Sequence, residues 1–155
     1  MIEFVSGDIF QTTSQYLAQG VAVGSQEGLG TGLALKISSK FPDSQKQFKK
    51  YTFNHKFEGG DIFVAKSEGD RPGIIYIATQ PDMYHATLQF LTKGLKNLTI
   101  YCAKNSVESV SLPKIGAGLG KLDWEKEVRP LMLKRLSESE TIFRIYEDFK
   151  NKYQK

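Results

Sequence analysis

Hydrophobic and polar positions alternate along this chain in blocks that predict strands and helices in turn. Short, nearly continuous apolar runs are typical of buried strands. They occur at residues 2–5, 16–24, 61–67, 73–79, 108–116 and 141–149, with 16–24 expected to open on a helix end or turn before its strand. No internal repeat or linker interrupts the pattern, so residues 1–155 are predicted to form a single domain.

Helical spacing of apolar residues separates most of these runs. Residues 32–42 and the more polar stretch 44–55 are two helix candidates, with Pro42 ending the first. The longest helix is predicted over 84–103, where the apolar residues Tyr84, Leu88, Leu91, Leu95, Leu98 and Cys102 recur at intervals of four and three. Asp123 suits an N-cap and Pro130 a first helical position, so the last helix is expected to start near Arg129.

This order of elements predicts an α/β fold with three layers, a mixed sheet flanked by helices on both faces. Sheets of this kind bind ligands at the carboxyl ends of their strands. No apolar run approaches the ~20 residues that a membrane span requires. One cysteine, Cys102, lies on the apolar helical stripe and is expected to be a core thiol. We therefore expect a cytoplasmic monomer without a membrane contact.

Charge changes this picture little. The 21 basic residues exceed the 17 acidic ones by four. The densest basic stretches, 46–50 and 150–155, are interpreted as a solvated helix face and a chain terminus. Neither shows the aromatic interleaving that is typical of a nucleic-acid surface.

Two glycine-rich stretches each follow a predicted strand and precede a helix. The first, in 24–34, contains Gly28, Gly30 and Gly32, and the second contains Gly116, Gly118 and Gly120. Successive backbone N–H groups in such loops converge on anions, and a helix N-terminus adds partial positive charge. Two loops of this kind at neighbouring strand ends indicate a diphosphate ligand, the alternative being two tight connections. Neither loop matches a P-loop or a Rossmann fingerprint.

Few residues in the sequence suit a catalytic role. No nucleophile elbow is present, and the two histidines, His55 and His85, do not form a metal-ligand cluster with the single cysteine. We therefore expect no metal and no cofactor. His85 is interpreted as a surface histidine, with a role in a site as the alternative. Asp8, directly after the first strand, is placed either to accept from a ligand's amine or to cap a turn.

Five motifs in order, "GDIF", "GLGTGLA", "YIAT", "LPKIGAGLGKLDW" and a final strand, resemble a macrodomain over nearly the whole chain. The resemblance implies a three-layer α/β/α macrodomain with a central mixed sheet and ADP-ribose as ligand. The branch it is similar to contains terminal ADP-ribose protein glycohydrolases, ADP-ribose-1″-phosphate phosphatases and antitoxins that remove ADP-ribose from DNA. The expected partner is therefore ADP-ribose, free or attached to protein or nucleic acid.

The resemblance also implies a set of ligand-binding residues. Asp8 would bind the adenine amine beside the Ile9 backbone, and residues 28–33 would hold the diphosphate and face the distal ribose. Residues 115–119 would cover the phosphates, with Gly120 and Lys121 at the distal ribose. The full set is Asp8, Ile9, Gly28, Leu29, Gly30, Thr31, Gly32, Leu33, Thr79, Ile115, Gly116, Ala117, Gly118, Leu119, Gly120 and Lys121.

The catalytic positions depart from that branch. The lysine that often follows the threonine of the middle strand is Gln80 here, and a glutamine amide cannot form the lysine's covalent intermediate. The aspartate that some members carry in the second loop is Gly120 here. Gln80, Asp82 and Glu27 are the remaining catalytic candidates. Three functions stay open: a hydrolase of a terminal ADP-ribose derivative that uses bound water, a non-catalytic ADP-ribose reader, and a nucleotide- or RNA-binding domain unrelated to ADP-ribose.

Overall fold

The computed structural model describes residues 1–23, 32–67, 69–82, 85–117 and 120–149. The strands are β1 (Ile2–Gly7), β2 (Tyr16–Ala22), β3 (Ile62–Ala65), β4 (Gly73–Gln80), β5 (Ser109–Leu112) and β6 (Ile142–Phe149). The helices are α1 (Gly32–Lys40), α2 (Pro42–Asn54), α3 (Leu88–Lys104) and α4 (Arg129–Leu136). A 3-10 turn at Ile9–Gln11 follows β1, and a π-helical turn at Trp124–Val128 precedes α4.

The strands form one mixed sheet in the order β1-β6-β5-β2-β4-β3. β3 runs antiparallel to β4, and every other pairing is parallel. The carboxyl ends of β1, β6, β5, β2 and β4 therefore lie along one edge, which we call the carboxyl edge. This is the edge at which such sheets bind ligands.

Helices cover both faces of the sheet, as the sequence predicts. On β4, Ile75 and Ile77 pack with the apolar residues of α3 and α4. Their neighbours Ile74 and Tyr76 point the other way and pack with Phe48 of α2 and with α1. This alternation follows from the two-residue period of a strand that is buried on both faces.

Proline and capping residues set several element ends. Pro42 starts α2 and does not merely end α1. The strand predicted over 108–116 ends at Leu112 because Pro113 cannot donate a ladder hydrogen bond. α3 starts at Leu88, later than predicted, where the Thr87 hydroxyl accepts from the Phe90 N–H at 3.1 Å. Tyr84 lies outside the described residues.

Two predictions at the last helix are confirmed and one at β2 is wrong. Asp123 Oδ1 accepts from the Lys126 N–H at 2.9 Å, and α4 starts at Arg129 with proline in its first turn. The helix end or turn expected at residue 16 is absent, because Tyr16 already pairs with both β4 and β5. Cys102 is 1% exposed, and its burial raises the pKa of the thiol to about 11.

No helix among the described residues combines the length and apolar character needed to cross a bilayer.

Candidate functional site

The carboxyl edge gathers the segments that the sequence singles out. Asp8 follows β1, Val23 follows β2, Asp82 follows β4, and residues 113–117 follow β5. Because β5, β2 and β4 are neighbours in the sheet, Val23, Asp82 and residues 113–117 follow neighbouring strand ends. Glu27, Gly28, Leu29, Gly30 and Thr31 lie outside the described residues, as do Gly118 and Leu119. Gly32 is the first residue of α1.

Thr79 is the extra residue of a bulge at the end of β4. Val21 pairs with Ala78 and Ala22 with Gln80, so Thr79 has no opposite residue on β2. Its side chain is fully buried, and among the described residues its hydroxyl has no hydrogen-bond partner. A Cβ at Gly20 would lie 2.6 Å from Thr79 Oγ1 and 3.0 Å from Ile115 Cγ2. The missing side chain at position 20 therefore lets Thr79 and Ile115 come together.

The second glycine loop is fixed against the segment that follows β4. The Ala86 N–H donates to the Gly120 carbonyl, and the Leu122 N–H donates to the Gly116 carbonyl, each at 2.9 Å. Gly116 has a φ of +82° and Lys121 a φ of +65°, so the loop turns through left-handed backbone on both sides. Both positions were predicted to be in the ligand site, and the loop is held in place by backbone hydrogen bonds.

Gly120 has no room for a side chain. A Cβ there would lie 2.7 Å from both the Ala86 Cβ and the Gly116 carbonyl oxygen. An aspartate at this position would require the loop or the segment around Ala86 to move. The absence of a carboxylate at position 120 therefore agrees with the local packing.

Asp8 caps the turn after β1. Its Oδ1 accepts from the Phe10 N–H at 2.9 Å, which is the second of the two roles weighed for it. The Ile9 side chain is fully buried in the core, so a ligand would contact the polar groups of the Ile9 backbone. Leu33 is half-buried and packs against the same core layer, on the α1 and α2 side of the sheet.

The three residues Gln80, Asp82 and His85 form a hydrogen-bonded group at the end of β4. Gln80 Nε2 donates to the Asp82 carbonyl at 2.9 Å. Asp82 Oδ1 accepts from the His85 N–H at 2.9 Å and lies 3.2 Å from His85 Nδ1. The His85 side chain is 64% exposed, as expected of a surface histidine. The hydrogen bond between His85 and Asp82 was not predicted, although an aspartate three residues before a histidine in the sequence indicates such a pair.

Glu147 marks a second bulge at the same edge. Val5 pairs with Tyr146 and Ser6 with Asp148, so Glu147 has no opposite residue on β1. Its Oε1 accepts from Arg129 Nε at 2.8 Å and from Trp124 Nε1 at 3.2 Å. The Arg129 hydrogen bond, aided by Trp124, holds the pKa of the Glu147 carboxyl below its usual range.

Comparison with known proteins identifies the fold family. The Macro domain profile matches residues 21–131. The human ADP-ribose glycohydrolase OARD1 (Homo sapiens) is 31% identical over 126 residues, covering 80% of this chain and 77% of the relative. This chain belongs to the Macro domain family.

Solved macrodomains share the whole fold. The macrodomain of Thermus aquaticus DarG superposes with a TM-score of 0.84 at 28% identity, covering 95% of this chain and 98% of that one. Thermosipho africanus DarTG, solved in complex with ADP-ribose, superposes with a TM-score of 0.84 at 26% identity. That match covers 96% of this macrodomain and 41% of the longer chain.

The described part of this macrodomain holds no group of three or more histidine, cysteine, aspartate or glutamate side chains suited to a metal ion. Its polar side chains at the end of β4 are an amide, a carboxylate and an imidazole, which can bind, orient and accept protons. The described residues at the end of β4 therefore offer hydrogen-bonding groups and proton acceptors.

Proposed function

We propose that this macrodomain binds ADP-ribose at its carboxyl edge and hydrolyses the bond between a terminal ADP-ribose and its attached group. The observation that carries the proposal is the second glycine loop, which β5 delivers to the end of β4 and which Ala86 holds in place. A relative named as an ADP-ribose glycohydrolase and a neighbour solved with ADP-ribose support the choice of ligand.

The binding mode follows from the two ends of the edge. Asp8 uses Oδ1 to cap its own turn, which leaves Oδ2 as the acceptor for an adenine amine. In the described part of the loop after β5, the Ile115 and Ala117 N–H groups donate to the Pro113 and Lys114 carbonyls. We therefore assign the Gly116 N–H, at the left-handed turn, to the anionic diphosphate. α1 begins at Gly32, and its N-terminus adds partial positive charge on the other side of the ligand.

Hydrolysis without a lysine nucleophile requires an activated water. We assign this role to His85, since its Nδ1 faces Asp82 and its Nε2 is then directed away from that carboxylate. The water oxygen bonds to the anomeric carbon of the distal ribose, its proton passes to His85 Nε2, and the attached group leaves with the bonding electrons. In this scheme Asp82 is a positioning residue, because its Oδ1 is engaged by the backbone and ring of His85.

Two assays test this function. Calorimetry with ADP-ribose, ADP and AMP should show a preference for ADP-ribose, and equal affinities would favour a general nucleotide-binding domain. Incubation with ADP-ribose-1″-phosphate, ADP-ribosylated protein and ADP-ribosylated DNA should release product from at least one of them.

His85→Ala should lower kcat by about 100-fold or more while affinity for ADP-ribose is kept. Asp82→Asn should lower kcat less and shift its pH profile.

A matched control is available at the opposite edge of the sheet. Glu140 precedes β6 and is exposed, so Glu140→Gln removes a carboxylate far from the carboxyl edge. This variant should turn over at the wild-type rate. If His85→Ala and Glu140→Gln behave alike on a substrate that the wild type hydrolyses, the assignment of His85 is wrong.

A non-catalytic reader is the second candidate, and Gln80 is the observation that favours it. The Gln80 amide stands where the related branch often has its nucleophile, and it donates to the Asp82 backbone at 2.9 Å. Stoichiometric ADP-ribose binding without product from any of the three substrates would establish this function instead.

A further inference from the structure

Backbone hydrogen bonds join residues 85–87 to two other segments of the chain. The Ala86 N–H donates to the Gly120 carbonyl at 2.9 Å, and the Thr87 N–H donates to the Thr79 carbonyl at 3.1 Å. The first bond reaches the second glycine loop, and the second reaches the bulge of β4. The short segment between the turn and α3 is therefore fixed between that loop and the central sheet.

The Ala86 side chain packs against the same loop. It is 7% exposed. A Cβ added at Gly120 would lie 2.7 Å from the Ala86 Cβ, and one added at Gly116 would lie 3.4 Å from it. The Ala86 methyl group therefore lies against both of these glycines, and no role has been given to this side chain above.

Ala86 directly follows His85, to which the proposed function gives the water. The His85 N–H and ring are held by Asp82 on the other side, since Oδ1 accepts from the N–H at 2.9 Å and lies 3.2 Å from Nδ1. The backbone of His85 cannot shift without Ala86, because the two residues share a planar peptide bond. The position of Ala86 therefore sets one end of the turn that carries the His85 ring.

The other side of Ala86 faces the residue assigned to the diphosphate. Gly116 turns through left-handed backbone at a φ of +82°, and its carbonyl accepts from the Leu122 N–H at 2.9 Å. Its own N–H is the group assigned to the anion. Ala86 thus lies between the backbone that would hold the diphosphate and the side chain that would act on the distal ribose.

We propose that Ala86 is a positioning residue, which couples a diphosphate on the second glycine loop to the placement of the His85 ring. The inference rests on the proposed function, because that function assigns Gly116 to the diphosphate and His85 to the water. A bound diphosphate restricts the loop, and the packed methyl group and the Gly120 hydrogen bond pass this restriction to Ala86. The His85 ring is then held in the orientation that the reaction requires.

Imidazole NMR spectra of the full chain test this coupling. The chain has two histidines, so the His55 signal serves as the internal reference for the His85 signal. ADP is the probe, because it carries the diphosphate and lacks the distal ribose that would touch His85. Saturating ADP should shift the His85 Hε1 signal of the wild type. Ala86→Gly keeps the N–H and removes the methyl group, so it should still bind ADP and should lose most of this shift.

Ala103→Gly is the matched control for added backbone freedom, since Ala103 is exposed near the C-terminal end of α3. It should show the wild-type shift of the His85 signal. On a substrate that the wild type hydrolyses, Ala86→Gly should lower kcat by about tenfold and leave KM nearly unchanged. Ala103→Gly should change neither constant.

A larger side chain at position 86 gives a second readout at the loop itself. Ala86→Val places two further methyl groups against Gly116 and Gly120. It should weaken ADP binding by about tenfold, because the crowded loop must shift. ADP affinity equal to that of the wild type would overturn the packing of Ala86 on the loop and the coupling with it.

The remaining outcomes separate this inference from the proposed function. A His85 signal that ADP-ribose shifts and ADP does not would overturn the coupling and leave the proposed function standing. An equal ADP-induced shift in Ala86→Gly and the wild type, or equal kcat in Ala86→Gly and Ala103→Gly, would also overturn the coupling alone. A chain that binds neither ADP-ribose nor ADP would overturn the proposed function and this inference together.

Discussion

Two strands reach the carboxyl edge with one extra residue each, and the two bulges differ in how their side chains are satisfied. At β6 the extra residue is Glu147, whose carboxylate accepts from Arg129 and Trp124. At β4 the extra residue is Thr79, whose buried hydroxyl has no partner among the described residues. β-Bulges redirect a side chain and are frequent next to functional sites. The β6 bulge therefore makes a structural contact through Glu147. The β4 bulge leaves the Thr79 hydroxyl without a hydrogen bond at the centre of the candidate site.

The surroundings of the two bulges explain this difference. Arg129, which pairs with Glu147, also lies 3.9 Å over the Phe4 ring, so the β6 bulge is connected to β1 and α4. At the β4 bulge the Thr79 hydroxyl faces Gly20, which has no side chain, and no hydrogen-bond partner reaches it among the described residues. An unpaired buried hydroxyl costs roughly 1–3 kcal/mol. We infer that this cost is retained for the site.

The largest effect is expected from adding a side chain at Gly20, against Thr79. Gly20→Val should lower the free energy of unfolding by about 3 kcal/mol, because its Cβ would lie 2.6 Å from Thr79 Oγ1. Urea unfolding measures this change. Gly69→Ala is the control, since it has a φ of +68° and nothing within 4 Å of an added Cβ. It should cost about 1 kcal/mol of strain, and equal losses would show that crowding at Thr79 is not the cause.

Removing the charge at the β6 bulge should have the next largest effect. Glu147→Gln should lower the free energy of unfolding by about 1–2 kcal/mol at pH 7, because it weakens a charge-assisted hydrogen bond to Arg129. Because the folded-state pKa is lowered, the wild-type advantage is present above the ordinary glutamate pKa and is lost as pH falls through the folded value. Urea unfolding of both proteins from pH 7 to pH 3 measures it.

Glu138→Gln is the control for the β6 bulge, since Glu138 is exposed and lies beyond α4. Its unfolding curve should match the wild type at every pH. A wild-type advantage over Glu147→Gln that persists unchanged to the lowest pH would contradict the role given to the Glu147 charge.

The smallest effect, and one of opposite sign, is expected at the β4 bulge itself. Thr79→Val should raise the free energy of unfolding by about 1 kcal/mol, since it replaces an unpaired hydroxyl with a methyl group. Thr141→Val is the matched comparison, because the Thr141 hydroxyl is buried and donates to the Val107 carbonyl at 2.8 Å. That variant should lose about 1 kcal/mol. If both substitutions destabilise alike in urea unfolding, Thr79 is satisfied in solution and the two bulges do not differ.

The fold could be predicted from the sequence because each helix and strand has its own spacing of apolar residues and its own residues that mark where it starts or ends. The stripe on α3, Asp123 at its turn and Pro130 at the start of α4 are local features, and the structure contains them where the pattern predicts. The second glycine loop was predictable for the same reason. The first falls largely on residues outside the described part of the chain.

What escaped prediction depends on partners distant in sequence. Nothing in the local pattern "IYIATQ" or "RIYEDF" shows where one residue is extra, because a bulge is defined by the register of the neighbouring strand. The clash at Gly120 likewise depends on Ala86, which is brought there by the turn after β4. Strand β2 was partly misread because Gln19 and Gly20 interrupt its apolar run, whereas pairing on both sides secures it.

Titration of the full chain with ADP-ribose by calorimetry tests the central claim most directly, with ADP and AMP as matched ligands. The account predicts saturable binding of one ADP-ribose per chain. ADP should bind at least tenfold more weakly and AMP more weakly still, since each removes groups that the edge near Gln80 would contact. Equal affinity for ADP-ribose and ADP, or no binding of ADP-ribose, would contradict it.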